Sequence, residues 1–81
     1  EFKVENKRED GKNTIVDKII SNRGEVPLDE GNITVQNAVL KDNQIIIPPN
    51  IPVVLTIYSP EPFYSIRIHT DKLDADFLFI N

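Results

Sequence analysis

Between residues 53 and 80 the apolar side chains keep a two-residue beat, which limits the fold more than any other feature of the sequence. In "IPVVLTIYS", Val53, Leu55 and Ile57 alternate with Val54, Thr56 and Tyr58. In "FYSIRIHT", Tyr64, Ile66 and Ile68 alternate with Phe63, Ser65, Arg67 and His69. In "ADFLFIN", Phe77 and Phe79 stand opposite Leu78 and Ile80. A period of two sends successive side chains to opposite faces of a strand. Pro60-Glu61-Pro62 separates the first two runs, so the pattern reads as consecutive strands joined by proline-bearing turns. Strands at short, regular spacing predict a mostly β chain, a β-sandwich, complete or partial, with at most one short helix.

Upstream the pattern is looser. "EFKVE" alternates Phe2 and Val4 with charged neighbours and predicts a half-buried strand. "NKREDGKN" is wholly polar and predicts an exposed turn or loop. In "TIVDKIISNRG", Ile15, Val16, Ile19 and Ile20 share one helical face, with Asn13 or Thr14 to cap it and Gly24 to end it. Its β-branched residues pull the other way, and the pattern favours a short helix over an irregular strand. "EVPLDEGN" predicts a loop, "ITVQNAVL" a strand with a bulge near Asn37, and "NQIIIP" a strand stopped by Pro48 and Pro49. "IIIPP" and "FLFIN" are sticky edges unless something covers them.

Composition then limits what such a sandwich can do. The chain has 81 residues, enough for one small domain or domain fragment spanning 1–81. A chain of that size buries only about 60% of its unfolded surface. It opens on Glu1 without an initiator methionine, as expected of a processed chain, a trimmed one or a piece of a longer protein. No cysteine is present, so neither a disulfide nor a thiolate metal ligand is available. A net charge of −4 argues against a nucleic-acid partner and favours a basic protein partner or simply a solvated surface. The longest apolar run, "IPVVLTI", is strand-sized, which predicts no transmembrane segment in this chain.

One histidine with no glycine elbow around any serine supplies no activated nucleophile. Paired acids such as Asp29/Glu30 and Glu9/Asp10 sit in polar stretches with nothing apolar to raise a pKa. Three scattered glycines cannot cradle a phosphate. His69, Asp71, Asp74 and Asp76 fit neither a calcium-loop nor a zinc spacing, and read as a solvated acidic turn. These patterns predict a chain that is not an enzyme on its own.

The segment 41–75 resembles the soluble copper domain of cytochrome c oxidase subunit II, a cupredoxin-like sandwich. Asp42-Asn43-Gln44-Ile45-Ile46-Ile47-Pro48 is similar to that family's "VDNRVVLP", and "VVLTIYSPEPFYS" to its following alternating strand and "SxDVxHSF/W". "KLDA" at 72–75 is similar to its "KxDA". More loosely, "EFKVE", "VDKII" and "GEVPLDEGNITVQ" match its first strand and its "FDSYM" and "GELRLLEV" pieces, so the chain would cover the front half of the domain. The family reads residues near 16–20 as irregular.

The first copper-ligand histidine of that family falls on Tyr64, and its Cys-x3-Cys-x3-His cluster lies past Asn81. "KLDA" is followed by Asp76-Phe77 where the family has Pro-Gly, and no tryptophan matches its electron-entry aromatic. The resemblance therefore implies a non-catalytic, copper-free structural or docking module of a respiratory oxidase, extracytoplasmic in location. Its partners would be the remaining half of subunit II and other oxidase subunits. It further implies Glu61, Tyr64 and Asp74 as partner-binding residues. The other reading of the same β pattern is an extracytoplasmic immunoglobulin-like binding, adhesion or assembly module. A dinuclear copper site needs soft bridging sulfur, and a phenol with a pKa of about 10 is a poor stand-in for imidazole. Titration with Cu(I) and Cu(II) should therefore give no stoichiometric charge-transfer band in the absorption spectrum.

Overall fold

A computed structural model describes residues 1–81, the side chain of Glu5 excepted. The chain is a mostly β fold of packed antiparallel sheets, consistent with a β-sandwich. In chain order the strands are β1 (Phe2–Asp10), β2 (Asn13–Ile20), β3 (Leu28–Asp29), β4 (Ile33–Gln36), β5 (Val39–Leu40), β6 (Ile46–Ile47), β7 (Val53–Ser59), β8 (Phe63–His69) and β9 (Asp74–Ile80). One sheet runs β1-β2-β7-β5, the facing sheet β4-β8-β9, and β3 pairs with β6 as a small ribbon. A single turn of 3-10 helix, Glu30–Asn32, precedes β4 and is capped reciprocally by Asp29 and Asn32.

The last three strands follow the sequence beat closely. Leu55, Ile57 and Ser59 of β7 face inward, as do Tyr64, Ile66 and Ile68 of β8, while Phe63 and Arg67 face out. The core is these residues with Val16, Ile20, Ile33, Ile45 and Ile47, and Phe2, Leu28, Val35 and Phe79 pack against it.

Four upstream expectations are corrected. Residues 13–20 form a strand and not a helix. The β-branched residues decide it: pairing on both sides, with β1 and β7, rewards Val16 and Ile20 inward and Asp17 and Ile19 outward. "NKREDGKN" is mostly strand, because β1 runs on to Asp10 before turning. Asp10 pairs with Asn13 across Gly11-Lys12, and Gly11 sits at φ +60°, where a two-residue hairpin favours glycine. Near Asn37 the chain makes a corner, not a bulge. Asn37 adopts φ +64°, and there the chain leaves β4 in one sheet for β5 in the other. The strand expected over "NQIIIP" shrinks to β6, with Ile45 and Ile47 buried and Ile46 exposed.

Two long edges remain, and they differ. β1 pairs only with β2, and its exposed residues Lys3, Lys7, Arg8, Glu9 and Asp10 make it a charged edge. β9 pairs only with β8, and Leu78 and Ile80 stand 67% and 79% exposed. Its hydrogen-bond parity follows from the two ends of the hairpin. Thr70 N donates to Leu73 O at 2.7 Å, and Asn81 N donates to Pro62 O at 2.8 Å. Bonded and non-bonded pairs alternate in an antiparallel ladder. Ala75, Phe77 and Phe79 thus spend their backbone groups on β8, while Asp74, Asp76, Leu78 and Ile80 direct theirs to the open side. Amide exchange on the isolated chain should alternate accordingly. We expect Phe77 and Phe79 to exchange roughly tenfold or more slowly than Leu78 and Ile80. Uniform protection along β9 would mean that its edge is covered.

Candidate functional site

Tyr64 is 1% exposed, and its ring stacks on Phe79, its cross-strand partner, at 5.4 Å between centroids and 30° between planes. The position matching a copper ligand in the resembled family is therefore a core packing position. Phe79 also meets Phe2 edge-on at 5.3 Å, and Phe2 meets Phe77 at 5.1 Å, so an aromatic row closes the space between β1 and β9. Onto this row the opposite sheet directs Lys18. Its Nζ lies 3.2 Å from the Phe79 centroid and 5.0 Å from that of Tyr64. The residue is only 3% exposed.

Burial penalises the charged amine and lowers the Lys18 pKa from 10.5 to about 8. The same cause pushes the Tyr64 phenol up to about 12. The negative ring face attracts the ammonium, an effect worth about 2 kcal/mol when desolvated, which offsets part of the burial cost.

Glu61 is exposed at the tip of the β7–β8 turn, and its backbone is clamped. Its carbonyl accepts from Ser59 Oγ at 2.8 Å and from Asn81 Nδ2 at 2.9 Å, and Asn81 Nδ2 also donates to Ser59 Oγ at 2.9 Å. Between two prolines, this turn holds its acid in a fixed place. Asp74 opens β9 at the other end of the hairpin. Arg67 grips it with two nitrogens, Nε to Oδ1 at 2.7 Å and Nη2 to Oδ2 at 2.6 Å. That hydrogen bonding holds the Asp74 carboxyl below the usual carboxylate range and raises Arg67. The pair is half in solvent, so its contribution to stability is small. Glu61 and Asp74 lie roughly 20 Å apart along the strand, and Tyr64 points inward between them. The three residues do not converge on one site.

His69 lies on the outer face, with Nε2 3.4 Å from Thr34 Oγ1. Asp71 belongs to the β8–β9 turn, where Thr70 Oγ1 accepts from Lys72 N and Leu73 N. Among the described residues no three His, Asp or Glu side chains come together as metal ligands would. Nor, among the described residues, is any helix long and apolar enough to cross a membrane.

A cleft of about 720 Å³ opens at the end of the sandwich where β9 begins. Phe2, Ile20, Leu28, Ile68, Leu73 and Phe77 supply its apolar lining, and the loop between β2 and β3 forms one wall. Asn22 fixes that wall: its Nδ2 donates to Val26 O at 2.7 Å and Ile47 O at 3.1 Å, and its Oδ1 accepts from Gly24 N at 2.9 Å. Asn32 is equally occupied, giving Nδ2 to His69 O and accepting from Asp29 N. The cleft's side-chain amides are thus engaged by its own walls, and its apolar side chains share the lining with the charged residues Glu1, Arg23, Glu25, Asp71 and Lys72. Val26, at 73% exposure, stands on its rim.

The sequence pattern did not single out Lys18 or this cleft. Strand periodicity over Val16-Asp17-Lys18-Ile19-Ile20 would have placed Lys18 on the inward face, a signal hidden by the helical reading. The cleft is assembled from segments distant in sequence, and no local signal announces it.

No protein-family model, no curated protein and no solved structure matches the chain. The resemblance to oxidase subunit II rests on the residues quoted above.

The two buried groups make stability depend on pH in opposite senses. Between pH 8 and 10.5 the unfolded chain holds a proton on Lys18 that the folded chain has released, so stability rises with pH. From pH 10 to 12 the unfolded chain loses the Tyr64 proton that the folded chain keeps, so stability falls. Denaturant unfolding should show a maximum near pH 10, approached by a rise on the order of 2 kcal/mol. Lys18→Met should abolish the rise and leave the fall.

Proposed function

We propose that this chain is a non-catalytic docking module, related in design to the front part of an oxidase subunit II domain, that holds no copper and acts by binding a basic protein partner. The observation that carries this reading is the contrast between its two long edges. β1 is armoured with charge, as edges are when pairing must be prevented. β9 has apolar side chains and free backbone groups on its open side, an arrangement suited to strand addition.

Other features support it. Glu61 stands exposed on a clamped turn beside the Ile80 end of β9. Asp76 lies exposed on the same hairpin, and the whole chain carries −4. These acids would steer a basic partner such as a cytochrome. The Tyr64 phenol is a packing group of the core and leaves no ligand facing outward at that position. A module of this kind would work on the extracytoplasmic side, in company with other subunits of an oxidase.

Exposed charge mainly raises the association rate and is screened by salt. Stopped-flow mixing with a basic cytochrome should show rapid association at low ionic strength. Glu61→Gln should slow it several-fold there and leave it unchanged at high salt. Absence of salt-dependent association with the unaltered chain would defeat the oxidase-docking reading.

A further inference from the structure

The open backbone groups of β9 and the cleft at its beginning share an element. Phe77 lines the cleft, and so does Leu73, the residue just before the strand. A chain laid along β9 from Ile80 toward Asp74 would be delivered to the cleft mouth. We propose that β9 and this cleft form one bipartite receptor for an extended segment of another protein chain, whose composition the surface specifies.

The specification follows from register. Asp74, Asp76, Leu78 and Ile80 turn their N–H and C=O groups to the open side and their side chains to the outer face. An antiparallel guest, the slightly stronger ladder, would set residues directly opposite these four. Opposite Leu78 and Ile80 it needs apolar side chains, which would also cover the exposed Phe63 beside them. Opposite Asp76 it needs a lysine or arginine. Arg67 stands across from Asp76 in the β8 register but closes with both nitrogens on Asp74, which leaves Asp76 exposed. Where the guest passes Leu73 it needs a large apolar residue, because Leu73 shares the cleft with Phe2, Ile68 and Phe77 and the cleft's side-chain amides are already engaged. A second copy of β9 fits poorly: antiparallel self-pairing would set each Asp76 against Leu78, Ile80 or an aspartate of the other copy and never against a cation.

This inference rests on the docking reading, and its test separates the two. The probe is a synthetic peptide, acetyl-Val-Thr-Val-Thr-Lys-Thr-Thr-Phe-amide, titrated into the full chain with amide exchange and fluorescence anisotropy as readouts. Binding should slow exchange at Asp76, Leu78 and Ile80. Replacing the peptide's phenylalanine with alanine should weaken binding at least about tenfold, as loss of a large buried side chain does. Replacing its lysine with glutamate should weaken it at low salt and much less at high salt.

On the protein side, Leu78→Pro removes an N–H that the β8 ladder does not use, so the variant should fold and yet lose binding. Leu73→Glu should cost as much as the peptide's phenylalanine-to-alanine change. If Leu78→Pro abolishes binding while Leu73→Glu and the alanine peptide change nothing, the docking edge stands and the bipartite receptor falls. If Leu78→Pro binds as well as the parent, or the parent ignores the peptide and forms β9-paired dimers, strand addition by a basic guest is overturned as well.

Discussion

The two sheets meet through a charge laid on an aromatic ring. Lys18 comes from the middle strand pair of one sheet and ends 3.2 Å above Phe79, which belongs to the edge strand of the other. Everything near the mouth of the sandwich is arranged around this contact. Tyr64 backs the Phe79 ring, Phe2 from β1 abuts its edge, and Phe77 extends the row toward the cleft. An all-aliphatic filling would be cheaper, since several kcal/mol of lysine desolvation are only partly offset by the ring. The consequence is a core split in character. Ile47, Ile57 and Ile66 form a dry, tightly buried centre, whereas the β1–β9 side is held by an ion and polarisable rings.

That split puts the ion and its aromatic row on the same side of the sandwich as β9. The dry centre fixes β7 and β8, and β8 in turn fixes the parity of β9 down to which amides face outward. Glu61 inherits its position from the same hairpin, because Asn81 at its far end reaches back to the Glu61 carbonyl and to Ser59. A rigid frame thus displays both the acid and the free backbone groups.

Much of this was legible in the sequence, for physical reasons that differ between segments. From Val53 to Ile80 β7 and β8 each have one buried face and one wetter face, and β9 has Ala75 and Phe79 half-buried on its inner face, so period two in the sequence mirrors period two in space. Upstream, β2 lies between β1 and β7 and buries residues on both faces, including Ile15 and Val16 in succession. Adjacent burial mimics a helical stripe, which is why "TIVDKII" suggested the wrong element. β1 beyond Asn6 carries no apolar signal, because it is held by backbone pairing and by cross-strand contacts such as Arg8 with Asp17. At the candidate site, the exposed turn of Glu61 was readable from its flanking prolines. The inward aim of Lys18 and the joining of Phe2, Ile20 and Leu73 around one cleft depend on long-range assembly, which a linear pattern does not encode.

The unequal edges have a consequence for stoichiometry. Growth of a β assembly requires each added unit to offer a fresh docking side, or it stops. In this chain β5 is two residues long, β4 is four residues long and turns away at Asn37, and β1 is clad in charge. Among the described residues only the β9 edge is long, apolar and open. On the docking reading the chain itself then has a valence of one: two copies meeting through β9 would close as a pair and not extend, so "FLFI" can stay exposed without seeding a fibre.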